Sequence, residues 1–227
     1  MTDFMPIDFS ETIQSKIPGL KIGMLNCSGF EVRKESKYVA EQFTVLEQYI
    51  IEKFSENAPS TDSIVSAVRR MYRRIGWEPT QYRPSSEAMI RRFLNNKGLY
   101  RINNAVDLGN VASTQFHLPM GLYDKNKISG MISVDVGQER EEYQGISKDV
   151  IHADGKLVLR DERGIFGNPT ADSLRTSIRE SSTNILALFF TPPEIDQSYI
   201  SETLAYLGNL YQRECPQAEI EIEIVSS

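Results

Sequence analysis

Histidine and cysteine are nearly absent from this sequence, with two of each in 227 residues. Cys27 and Cys215 stand far apart, and neither belongs to a CxxC or mixed Cys/His spacing. No zinc site, other metal or disulfide framework is therefore expected. Both read as small buried hydrophobes of a chain kept in a reducing compartment, the cytoplasm. His117 sits at a helix end before Leu118-Pro119, where capping or packing is its ordinary use, and His152 lies in a predicted strand beside Asp154. A general-base role is the alternative for each. The sequence has no GxSxG, no P-loop, no GxGxxG and no HExxH. Serine hydrolases of the elbow type, P-loop nucleotide hydrolases, dinucleotide-dependent enzymes and zinc proteases are left without support, and no cofactor is expected. No apolar run is long enough to cross a bilayer. Met1 to Ser10 carries Asp3 and Asp8 where a secretory leader would carry basic residues and an apolar stretch. Solenoid repeats and Gly/Ser- or Pro-rich linkers are missing too, so residues 1–227 are expected to form a single domain.

What is present is an ordinary globular composition, 40% hydrophobic and 25% charged, with a net charge of −6. That balance argues against indiscriminate nucleic-acid binding and against a DNA partner. The charge is unevenly placed. Between Val65 and Arg101 there are nine Lys or Arg (Arg69, Arg70, Arg73, Arg74, Arg83, Arg91, Arg92, Lys97, Arg101) against two acids, Glu78 and Glu87.

Leu20 to Cys27 reads as a first strand between Pro18-Gly19 and Ser28-Gly29. Val39, Phe43, Leu46, Tyr49, Ile50 and Phe54 recur at helical spacing and predict a helix over Lys37–Phe54. A second helix, Asp62 to Ile75, buries Ile64, Val65, Val68, Met71 and Tyr72 and presents four arginines. Arg69 with Arg73 and Arg70 with Arg74 are like-charged i,i+4 pairs, unfavourable unless an acid or a phosphate lies opposite. Two readings follow: a solvated face satisfied by acids elsewhere, or an RNA-contacting stripe completed by Arg91 and Arg92. Pro84-Ser85-Ser86-Glu87 opens a third helix, closed by Gly98. Asn104 has the side chain of an N-cap, with Asp107 three residues on, for a fourth helix running to about His117. After Ile128 the pattern changes to short alternating runs, Met131–Val136, Val150–His152 and Lys156–Leu159, and Gly164 to Gly167 reads as a turn. An apolar run Asn184–Thr191, a helix Ser198–Arg213 and a strand Ala218–Val225 complete the chain. Strands and helices without regular βαβ alternation predict an α+β fold, a mixed and mainly antiparallel sheet packed by helices with an N-terminal helical elaboration.

The stretch Tyr82 to Ile128 contains Asn103-Asn104, Val106, Asp107 and Asn110, then Pro119, Tyr123 and Asp124. This basic helix, Asn-x-x-Val-Asp-x-x-Asn and Pro-x-x-x-[FY]-Asp series resembles the B3/B4 editing domain of the phenylalanyl-tRNA synthetase β subunit. Gly167 to Pro193, with Asp172-Ser173-Leu174-Arg175-Thr176, is similar to the continuation in free-standing members. The resemblance implies a pocket that hydrolyses tyrosine wrongly joined to phenylalanine tRNA, hence an aminoacyl-tRNA partner acted on in trans, or else a binding module that keeps the fold without the chemistry.

The same resemblance implies a site between Pro119–Asp124 and Asp172–Thr176. Asp172, Arg175 and Thr176 are its catalytic candidates, and Asn104, Asp107, Gly121 and Tyr123 its substrate-binding ones. Arg69, Arg70, Arg73, Arg74, Arg91 and Arg92 would contact RNA. Asn104, Asp107 and Glu87 are equally explained as helix caps, and Asp172 with Arg175 as a capping pair. The sequence departs from the synthetase pattern twice: Gly121 stands where an editing histidine is expected, and nonpolar residues at Leu186–Leu188 where a glutamate is. Gly121 is expected to widen the pocket.

Overall fold

A computed structural model describes residues 4–147 and 149–227; Asp3, one of the acids noted in the N-terminal stretch, lies outside them. The central element is β10 (Ile185–Thr191), buried along its whole length. An unbroken apolar run suits a strand covered on both faces. It pairs antiparallel with β2 (Lys21–Ser28) on one side and with β3 (Met120–Asp124) on the other, and β11 (Glu219–Ser226) pairs with β2. This four-stranded sheet has the order β11-β2-β10-β3, which leaves β3 at one edge.

Alternation along β3 assigns its two faces. Met120 and Leu122 lie against Gly109 of α5 (Asn104–Gln115), whereas Gly121 and Tyr123 point toward Phe166 and Gly167. Helix α6 (Gln197–Glu214) joins α5 on the first face, with Ile200 and Leu204 against Gly23. The opposite face meets a second sheet of order β1-β4-β7-β8-β9, made of β1 (Ile7–Phe9), β4 (Ile132–Val136), β7 (Leu157–Asp161), β8 (Gly164–Asn168) and β9 (Ala171–Asp172). All its pairings are antiparallel except β1 with β4. A short hairpin, β5 (Glu142–Gln144) with β6 (Val150–His152), stands beside it. The fold is α+β, with helices, sheet and sheet in three layers.

The predicted helices stand where amphipathic spacing put them: α2 (Lys37–Lys53), α3 (Ser63–Arg74) and α4 (Ser85–Leu94), after a short α1 (Glu11–Lys16). Asp62 caps α3 by accepting from the Ile64 and Val65 N–H groups at 3.0 and 3.1 Å. Three expectations need correction. Asn103 caps α5, accepting from Val106 N at 2.9 Å, and Asn104 is already helical. The Pro-x-x-x-[FY]-Asp segment, expected to form a turn, instead supplies the strand Met120–Asp124, because the β10 edge offers it a ladder. Gly164–Gly167 is the body of β8, its turn being Glu162-Arg163.

Candidate functional site

The two sheets meet at the free edge of β3. The Leu122 N–H donates to Asp172 Oδ2 at 3.2 Å, and the Asp124 N–H donates to the Thr176 carbonyl at 2.8 Å. Segments 119–124 and 172–176 therefore do come together, joined by the backbone donors an edge strand would otherwise leave unpaired.

Above this seam lies a cavity of about 160 Å³ between α5, β3 and the loop after β9. Ile102, Val106, Met120, Leu122, Ile146 and Ile178 form its apolar walls. Asn110, Asp172 and Ser177 supply the polar groups. A few polar groups in an apolar cleft is the usual make-up of a small-ligand site. The Ser177 hydroxyl donates to Leu174 O at 2.9 Å, which leaves its oxygen able to accept. The Asn110 carboxamide has no hydrogen-bond partner among the described residues. Asn110 and Val106 are an i,i+4 pair on one face of α5. That spacing is present in the Asn-x-x-Val-Asp-x-x-Asn series, although residue type alone gives Asn110 no reason to face a cavity.

Burial pushes the Asp172 carboxyl up to about 7, and the nearby Tyr123 hydroxyl and the Leu122 N–H only partly oppose this. Its Oδ1 is sealed from solvent without a well-formed partner, as is the Tyr123 hydroxyl beside it. The Tyr123 ring is wholly buried and meets Phe166 edge-on, with centroids 4.9 Å apart at 89°. Burial, and secondarily the Asp172 charge, raise its phenol well above the ordinary value. A Cβ at Gly121 would run into this phenol from one side. One at Gly167 would do so from the other, with Asp172 Oδ1 3.0 Å away. Gly121 therefore widens nothing: the space an imidazole would need is filled by Tyr123. Leu188, in the run where the synthetase pattern has a glutamate, is the register partner of Gly121 and is fully buried. The two departures from the synthetase pattern thus sit side by side on the β3–β10 ladder.

Arg175 and Thr176 point away from the cavity. Arg175 forks onto Asp161 at 2.9 and 2.8 Å and also donates to the Lys127 carbonyl at 2.9 Å. Its partner is thus Asp161 and not Asp172. Asp161 further accepts from the Ser129 and Arg163 N–H groups. Burial works against its charge, but these donors outweigh it and hold its carboxyl below the usual range. The Thr176 hydroxyl is buried in a turn, 2.8 Å from Ser173 Oγ.

Asn104 is spent on structure as well. Its oxygen accepts from Arg33 N and Ala105 N, and its amide donates to Glu31 O and Glu214 Oε1, tying the start of α5 to the end of α6. Asp107 accepts from Ile102 N at 3.0 Å and Arg101 Nε at 3.2 Å, with its carboxyl raised mainly by burial. It braces the Ile102 wall of the cavity from behind.

The arginine face resolves largely into the first of its two readings. Glu87, fully buried, takes Arg69 at 2.8 Å and Arg91 at 2.9 Å, with Arg83 3.8 Å away. Glu194 faces Arg74 at 2.6 Å and Arg70 at 3.7 Å, and Glu78 lies 3.8 Å from Arg73. Arg92 is the exception. It donates to the Gly98 and Lys97 carbonyls and lies over the Tyr100 ring, with no carboxylate at ion-pair distance among the described residues.

His117 is buried in a left-handed backbone conformation, its Nδ1 3.0 Å from Asp62 Oδ1, so it locks the α3 cap rather than serving the cavity. His152 is exposed on β6, 3.5 Å from Glu142. The described residues contain no cluster of His, Cys, Asp or Glu suited to a metal ion, and no helix among them is long and apolar enough to cross a membrane. Cys27 and Cys215 are both free and buried.

A family model described as the B3/4 domain matches residues 67–205, a span containing every residue that lines the cavity. The chain belongs to the B3/4 domain family. Over 209 residues it is 17% identical to "Uncharacterized protein YhzB" of Bacillus subtilis (strain 168), covering 92% of this chain and 94% of that one. Over 102 residues it is 30% identical to the phenylalanine–tRNA ligase β subunit of Fusobacterium nucleatum subsp. nucleatum, covering 43% of this chain and 13% of the subunit. A crystal structure of an N-terminal fragment of the phenylalanyl-tRNA synthetase β-subunit from Pyrococcus horikoshii matches with a TM-score of 0.49 and 11% identity, over 95% of this chain and 50% of that one. The B3/4 chain is thus similar to a synthetase-related module and spans only a small part of the ligase subunit.

Proposed function

We propose that this B3/4 chain binds the acylated 3′ end of a tRNA in the cytoplasm and hydrolyses a mischarged aminoacyl ester in trans, with Asp172 as general base. The observation that carries the reading is one carboxyl, poised near neutrality, on the wall of an apolar cavity beside an unpartnered carboxamide. A buried carboxyl of this kind is ionised in part at neutral pH and still basic enough to take a proton from water. Asp172 would draw a proton from a water aimed at the ester carbonyl, the water oxygen would add to that carbon, and collapse would expel the ribose oxygen, which recovers the proton from Asp172. Asn110 is placed to hold the amino acid, and the Ser177 oxygen can accept from its ammonium group. A cavity of roughly 150 Å³ holds a benzene ring, so an aromatic or branched side chain suits the volume here. Specificity for a tyrosine hydroxyl does not follow, because Gly121 and Leu188 lie outside the cavity lining and carry no polar group to read one. Those same two positions favour the second reading, a binding module that recognises an aminoacyl end without cleaving it.

Single-turnover deacylation over a panel of mischarged tRNAs separates the two. Wild type should cleave at least one ester, with a rate that climbs as pH rises through about 7. Asp172→Asn should lose on the order of 10²-fold or more. Stability provides a check that does not depend on activity. The folded-state value lies above the unfolded one of about 3.9, so the stabilisation is complete below pH ~4 and is lost as pH rises through about 7. Urea midpoints should fall between pH 5 and pH 8 in wild type, and less steeply in Asp172→Asn. No cleavage of any ester, with tight binding of the aminoacyl ends, would leave the binding module as the reading.

A further inference from the structure

We propose that the Tyr100 ring, backed by Arg92, is a stacking seat for the terminal base of the RNA whose acylated end enters the Asp172 cavity. This rests on the deacylase reading and names the contact that would hold its substrate.

Tyr100 is 70% exposed, the most exposed large hydrophobic side chain among the described residues, yet its ring has a partner. The Arg92 guanidinium lies over its ring, 3.9 Å from the centroid, and is itself anchored by donating to the Gly98 carbonyl at 2.8 Å and the Lys97 carbonyl at 3.4 Å. One face of the ring is thus fixed against a cation while the rest stays open to solvent, an arrangement suited to stacking a heterocycle. Arg69, Arg70, Arg73, Arg74 and Arg91 each face a carboxylate. Arg92 alone among the six keeps a charge that no acid among the described residues offsets, and a phosphate-bearing ligand would meet it.

Ile102, two residues after Tyr100, is 53% exposed and forms part of the cavity wall, and the Asp107 carboxylate fixes its backbone. Two residues of chain span at most about 7 Å. In an aminoacyl-tRNA the terminal base and the ester share one ribose, so a base on Tyr100 would place the ester at the rim of the cavity. An apolar protein partner would also cover Tyr100 and Ile102. It would not call for a guanidinium under the ring or for a cavity alongside holding a free carboxamide and a carboxyl.

The test uses the full chain and a short single-stranded RNA whose 3′-terminal base is 2-aminopurine. Wild type should bind it at low salt and quench the terminal fluorophore. Tyr100→Ala should weaken binding roughly ten-fold, within the range of one lost stack, and abolish the quenching. Tyr100→Phe and Tyr100→Trp should keep both. An RNA with an abasic 3′ terminus should bind wild type as weakly as the intact RNA binds Tyr100→Ala. Failure of wild type to bind, or equal affinity for Tyr100→Ala, overturns the seat. So does an oligomer that Tyr100→Ala dissociates while RNA affinity is unchanged, which would assign the ring to a contact between copies. Quenching without hydrolysis of any ester would support the seat while the deacylase reading falls. Ester cleavage undiminished in Tyr100→Ala at subsaturating substrate would do the reverse.

Discussion

The arginine-rich surface of α3 and α4 and the seam between β3 and β9 handle charge in opposite ways. On the helices a conspicuous excess of cations is almost entirely consumed: Glu87 is buried beneath three arginines, and Glu194 and Glu78 answer the remaining ones of α3. At the seam a single inconspicuous aspartate is walled in with no cation among the described residues to hold its charge, and burial raises its carboxyl to about 7. Abundance of charge in a sequence therefore says little about its availability. A carboxylate with an arginine across from it is locked in the ionised state, whereas one facing an apolar cavity can exchange a proton near neutrality.

Arg175 offers the largest way to break this contrast, since it stands three residues from Asp172 and yet belongs to the consumed kind. Arg175→Ala leaves Asp161 buried without its fork and should cost about 3–5 kcal/mol, read from urea unfolding. The deacylation rate per folded molecule, measured well below the unfolding midpoint, should stay near that of wild type. A lower rate in a variant of normal stability would move Arg175 into the chemistry and dissolve the contrast. Gly121→Ala sharpens it from the other side. The added methyl meets the fixed Tyr123 phenol and should cost about 1–3 kcal/mol, as overpacking does, with the pH dependence of stability altered because Tyr123 also touches Asp172. An Ala variant of full stability would mean that the phenol moves aside easily. The smallest effect is expected at the helical face. Arg70→Gln with Arg74→Gln removes two half-exposed partners of Glu194 and should change stability by less than about 1 kcal/mol. The low-salt affinity for RNA should fall much less than in Tyr100→Ala. A loss as large as that of Tyr100→Ala would restore the whole stripe as an RNA surface.

Amphipathic spacing made α2, α3 and α4 legible, because their side chains repeat with the period of the element that buries them, and the unbroken apolar run 184–191 located the central strand. The Asn-x-x-Val-Asp-x-x-Asn and Pro-x-x-x-[FY]-Asp series located the cavity's helix and strand and identified the family. Local sequence could not assign partners. Asn104 and Asn103 are equally good caps by residue type, and only the approach of Glu31, Arg33 and Glu214 draws Asn104 away from that task. Gly121 reads as empty space until Tyr123, two residues on and on the same face, folds back over it. Arg175 and Asp172 look like a pair in sequence, but Asp161, brought close by the turn between β7 and β8, takes the guanidinium.

The sequence by itself determined the class of fold, the family and the two segments that meet at the seam, since periodicity and motif are properties of neighbouring residues along the chain. Which charges remain free was decided only by the tertiary structure. Ion pairing and desolvation act across the distances that folding sets between residues far apart in sequence, and among the described residues those distances leave Asp172 and Arg92 without the opposite charges found by their neighbours Arg175 and Arg91.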